Sequence, residues 1–128
     1  MTNEQDDAPI CRDADLPIFV KWMDFLKWLL TVTEKFPKSV RFTFVDRIHN
    51  LALSVVEELV EARYSNNKRA TLGRINIKVE TLRVLLRITY EQRYLPTKNY
   101  QQAMLSLNDI GRMLGGWMKQ QRHSARLP

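Results

Sequence analysis

The residues best suited to chemistry in this 128-residue sequence are its lysines and arginines, which number 20 against 14 aspartates and glutamates and leave a formal net charge of +6. Arginine presents a rigid fork of donors that fits phosphate and carboxylate geometry better than the point charge of lysine. Five bases crowd one apolar-periodic segment: Arg69, Arg74, Lys78, Arg83 and Arg87. At 100° per residue, Arg69, Arg83 and Arg87 fall within about 40° of one another, to one side of the segment's apolar stripe. Arg74 and Lys78 form a second pair on the other flank of that stripe. The chemistry on offer is contact with polyanions. The alternative is a solvated face with local partners, since Glu80 stands three residues before Arg83.

Catalytic chemistry finds little to work with. The two histidines are His49, on an apolar helical face, and His123, near the C-terminus. The one cysteine, Cys11, can neither close an internal disulfide nor bind zinc alone. No glycine-rich phosphate loop, nucleophile elbow or zinc spacing occurs. Glu57, Glu58 and Glu61 read as a solvated helix face; a di-metal bundle would want Glu-x-x-His pairs. The expectation is therefore no catalytic residue, no metal, no cofactor and no enzymatic activity.

These bases need elements to position them. The length suits one domain. A hydrophobic fraction of 45% excludes disorder throughout, and four glycines and five prolines disfavour a turn-rich β fold. No apolar run approaches the ~20 residues of a membrane span, and no signal peptide is evident. The chain reads as soluble and cytoplasmic. Residues 1–15 hold five acids and one base, and read as a flexible acidic arm; the remaining 113 residues hold 9 acids and 19 bases. Such a basic body attracts polyanions.

The bundle is expected over residues 16–122. A first helix is predicted from Leu16 to Phe36, stopped by Pro37, with Phe19, Trp22, Leu26, Leu29 and Thr33 on its stripe. A second is predicted from Ser39, as cap, to Tyr64. Its apolar face carries Phe42, Val45, His49, Ala52, Val56, Leu59 and Val60. The loop Ser65-Asn66-Asn67 leads to a third, from Lys68 or Thr71 to Tyr94, with Leu72, Ile75, Val79, Leu82 and Leu86 inward. Pro96 ends it and Thr97 caps a fourth, running to about Gln121 with Tyr100, Ala103, Met104, Leu107, Gly111, Leu114 and Met118 on its seam. Residues 123–128 read as a basic flexible tail. Short loops force antiparallel neighbours, so the expected fold is all-α, an up-down-up-down four-helix bundle.

The third helix carries a second apolar line, Ile77, Val84 and Ile88, about 180° from the first. That line reads as a wider internal contact or a subunit interface, and the interface is favoured because one side of a bundle helix usually faces water. Gly111 and Gly115 sit four apart on the fourth helix, with Gly116 and Trp117 following. Each glycine costs about 1 kcal/mol there, and close helix packing is the usual compensation. Trp28 lies off the stripe of the first helix, towards solvent or an interface. Base stacking by aromatics is disfavoured, because they fall mostly on core faces.

Ile110-Gly111-Arg112-Met113-Leu114-Gly115-Gly116-Trp117, after a helix containing Leu82-Arg83-Val84-Leu85-Leu86-Arg87, resembles the accessory variability determinant proteins of diversity-generating retroelements. These belong to a wider four-helix-bundle family that includes proteins encoded in intervening sequences of 23S ribosomal RNA. The likeness covers roughly residues 16–122. It implies a homopentameric barrel with a basic surface that binds the retroelement's reverse transcriptase and nucleic acid, RNA or DNA, without enzymatic activity. It implies support of error-prone copying of a template RNA and diversification of a target gene. Arg83 and Arg87 match the family's basic pair on the third helix. The ribosomal intervening-sequence branch would share the fold without a transcriptase partner.

Overall fold

The computed structural model of the chain describes residues 15–126, and side-chain surroundings from residue 17 to residue 122. The arm expected at 1–15 lies outside the described residues except for Asp15, as do the last two residues of the expected tail. Among the described residues there are four α-helices and no strand: α1 (Asp15–Thr33), α2 (Asp46–Tyr64), α3 (Lys68–Glu91) and α4 (Thr97–Arg126). Each packs against two others, α1 on α2 and α4, and α3 on α2 and α4, which closes an antiparallel four-helix bundle.

The core follows from helical periodicity. Ile18, Trp22, Phe25, Leu29 and Val32 of α1 are buried at alternating steps of four and three. Opposite them lie Ile48, Ala52, Val55, Leu59 and Ala62 of α2. The expected α3 stripe of Leu72, Ile75, Val79, Leu82 and Leu86 is buried throughout. Ala103, Leu107, Ile110, Leu114 and Trp117 complete it from α4. Each large apolar side chain buried here is worth about 1.5–3 kcal/mol. One polar link crosses the core, the Trp22 indole N–H donating to the Ala52 carbonyl at 3.0 Å.

The connection between α1 and α2 departs from the sequence reading. α1 stops at Thr33 rather than Phe36, because a residue before proline disfavours the α conformation. The chain turns there, with Phe36 N–H donating to the Thr33 carbonyl at 3.1 Å. Ser39 is no cap: it sits in a 3₁₀ turn, Lys38–Val40, which runs into a π-helical turn, Arg41–Val45. That turn is closed by Asp46 N–H donating to the Arg41 carbonyl, one residue wider than an α-helix. The wider turn breaks the phase carried from Phe42 into α2. Phe42 and Val60, both expected inward, are exposed, and Ile48, Val55 and Ala62 take the core positions.

The other connections are tight. The Asn67 side chain accepts from Ala70 N–H at 3.3 Å and caps α3. The Lys68 ammonium donates to the carbonyls of Ala62, Arg63 and Ser65 at 2.8–3.0 Å, a cation on the C-terminal end of α2. α3 ends at Glu91, short of Tyr94. Arg93 adopts φ 68°, and the Arg93 and Tyr94 N–H groups donate back to the Tyr90 and Thr89 carbonyls. This is a Schellman closure with an arginine where glycine is usual. α4 begins with Thr97 inside the helix rather than capping it, since Tyr100 N–H bonds the Pro96 carbonyl, and it runs past Gln121 to Arg126.

Candidate functional site

The five bases expected to act together on the third helix divide among different surroundings. Arg74 donates to Glu58 at 3.1 Å and to Glu61 at 2.8 Å. Lys78 reaches Glu58 at 2.6 Å and also bonds the Ser54 hydroxyl. Glu58 is only 14% exposed at its side chain, so it is the half-buried centre of an α2–α3 charge cluster and not part of a solvated face. Two of the five bases are thus neutralised across a helix seam.

Arg83 points the other way, into the α3–α4 seam. It donates to the Asn108 side-chain oxygen at 2.8 Å and pairs with Glu80 at 3.3 Å, the local partner read from the sequence. Arg87 is far more available: it is 69% exposed and among the described residues pairs only with Glu91, one helical turn away. An exposed pair of this kind is worth about 0.3–0.5 kcal/mol and yields easily to a competing anion. Arg69 is exposed at the start of α3 and, with Arg122, flanks a shallow groove of about 300 Å³ over Ala70 and Met118. Neither has a carboxylate partner among the described residues.

The second apolar line of α3 lies open. Ile77 is 67% exposed, Val84 56% and Ile88 36%. Leu53 and Val60 of the neighbouring α2 are exposed as well. Among the described residues no element covers this face.

The glycines do not pack as expected. Among the described residues no atom of another element lies within 4 Å of where a Cβ would stand on Gly111 or Gly115, so no close helix approach there compensates for them. Trp117 beside them is buried. Trp28 is half-buried, its ring stacked on Phe25 with centroids 5.9 Å apart. His49 is half-buried against α1, with Nε2 2.7 Å from the Thr33 hydroxyl oxygen. Among the described residues no group of three or more His, Cys, Asp or Glu side chains is placed to hold a metal, and no helix is long and apolar enough to cross a membrane.

The sequence reading passed over the bases between α1 and α2. Lys35, Lys38, Arg41 and Arg47 are all exposed, and none is ion-paired among the described residues. The signal was present as alternation of bases and aromatics in Lys35-Phe36-Pro37-Lys38-Ser39-Val40-Arg41-Phe42. It was masked by reading Phe42 as a core position.

A basic antiparallel four-helix bundle, with Arg74 and Lys78 paired across a helix seam, is the class of protein that this geometry defines. The sequence places it more closely: residues 18–121 match the model of the bAvd-like family, and the chain belongs to that family. The match spans all four helices and includes both segments that carry the resemblance to accessory variability determinant proteins. No curated relative matches the sequence.

Proposed function

We propose that this chain is a non-catalytic accessory protein of a diversity-generating retroelement. It binds the element's reverse transcriptase and nucleic acid through basic surface, supporting mutagenic copying of template RNA and diversification of a target gene. The observation that carries this reading is the bAvd-like match over residues 18–121. The proposal places the protein in the cytoplasm, working without cofactor or metal.

Two features support the binding part. Arg87 and Arg69 on α3 are exposed and, among the described residues, weakly paired and unpaired respectively, and serve as the readiest of the five bases for a partner. Arg83 first has to leave Asn108. The exposed line of Ile77, Val84 and Ile88 favours self-assembly, and the proposed assembly is a homopentamer.

The test is co-expression with the reverse transcriptase of a diversity-generating retroelement, followed by pull-down and light scattering. The expected result is capture of the transcriptase by an assembly near five times 15.1 kDa. Arg83→Ala combined with Arg87→Ala is expected to leave that mass unchanged and abolish capture. A wild-type chain that captures no transcriptase contradicts the proposal.

A further inference from the structure

Phe42 is the most exposed of the large apolar side chains described, at 80%. Nothing about its surroundings is loose. Phe36 and Val40, on the N-terminal side, are both buried in the core. On the other side the half-buried Phe44 packs against Tyr94, ring centroids 6.2 Å apart. The π-helical turn Arg41–Val45 therefore holds the Phe42 ring outward from a pinned backbone. Such turns occur often at functional positions.

Cations precede the ring along the chain. Lys35, Lys38 and Arg41 recur every third residue along the connection, all exposed and without a carboxylate partner among the described residues. Tyr94, which contacts both Phe36 and Phe44, ties the α3–α4 turn to the same end of the bundle and brings the exposed Arg93 with it. The acids at this end are Glu34, Asp46 and Glu91, the last engaged by Arg87. A groove of about 130 Å³ opens beside Arg41 and His49, with Phe36, Pro37 and Val45 as its apolar lining.

An exposed aromatic ring flanked by unpaired cations is the arrangement that binds single-stranded nucleic acid. The π-face stacks on an unpaired base and the cations meet the backbone. In a duplex the bases already stack on one another, so the ring gains nothing there. We propose that this end of the bundle is a single-stranded nucleic-acid site, with Phe42 stacking on a base and Lys35, Lys38 and Arg41 contacting the flanking phosphates. The inference rests on the nucleic-acid part of the function proposed above, and it gives that part a location away from the α3 arginines.

The experiment is a fluorescence-anisotropy titration of the full chain with a labelled oligouridylate of about 12 nucleotides, within the range such sites cover, and with duplex RNA of equal length. Phe42→Ala is expected to weaken single-strand binding roughly 5- to 150-fold, the range of one base–aromatic stack. Duplex binding should be unaffected, and Phe42→Trp should restore the single-strand affinity. The thermal midpoint should not move, since the ring touches mainly solvent. Unaltered single-strand binding by Phe42→Ala overturns the inference. So does a change in assembly mass with binding intact, which would assign Phe42 to a subunit contact. A wild-type chain that binds neither RNA fails at the earlier step and removes the nucleic-acid reading itself.

Discussion

The middle of α3 and the connection between α1 and α2 are both rich in bases, yet they use them in opposite ways. On α3, Arg74 and Lys78 converge on Glu58, and Arg83 spans to Asn108 of α4. Along the connection, Lys35, Lys38 and Arg41 face water with no carboxylate partner among the described residues, around an outward Phe42. Charge count alone makes α3 the more conspicuous site. Pairing reverses that order, because a base held by a carboxylate must give up that contact before it can meet a phosphate. In this bundle the mid-body bases bridge helices, and the bases of the connection have no carboxylate partner among the described residues.

The contrast can be broken most severely from underneath. Ile75→Ala, beneath the paired cluster, should cost about 2–5 kcal/mol in chemical denaturation, with the cavity term included. Loss of less than that would mean the α2–α3 seam is loosely packed. Glu58→Ala should cost about 1–3 kcal/mol, because Arg74 and Lys78 then lose their shared acceptor in a half-buried seam. If it is neutral, the cluster is not structural and the two regions differ less than their geometry indicates.

Smaller effects sharpen the comparison. Gly115→Ala should stabilise the isolated chain by about 1 kcal/mol, since a methyl there meets nothing within 4 Å. Should it instead lower the assembly mass, the glycine faces another copy. Arg93→Gly should raise the thermal midpoint by a few degrees, for a gain of up to about 1 kcal/mol at a left-handed position. Arg41→Ala should shift stability by no more than about 0.5 kcal/mol, as expected for an exposed side chain away from structural contacts.

Much of the fold was legible because it repeats. The stripe from Leu72 to Leu86 keeps one phase through an uninterrupted helix with an asparagine cap, and every residue assigned to it is buried. Phe42 was misplaced because one π-helical turn shifts the phase, and no residue between Ser39 and Asp46 announces a wider turn. The partners of Arg74 and Lys78 were hidden for another reason. A pair on one helix, such as Glu80 with Arg83, can be read from spacing, whereas Glu58 with Arg74 depends on how two helices slide against each other. The glycines were harder to read, because their spacing shows that they share a helix face but not what approaches it. The line of Ile77, Val84 and Ile88 was readable as a second apolar face, because its spacing sets it about 180° from the core stripe.

The most direct test of the central contrast is the salt dependence of oligouridylate binding by two variants of the full chain. One replaces Lys35, Lys38 and Arg41 with alanine, and the other replaces Arg74 and Lys78. At about 0.7 in slope per phosphate contact on a single strand, the first should lower the slope of log K against log salt by about 2. The second should leave the slope unchanged while lowering the thermal midpoint. The reverse outcome, a slope lost only with Arg74 and Lys78, would contradict the account and return the binding surface to the middle of α3.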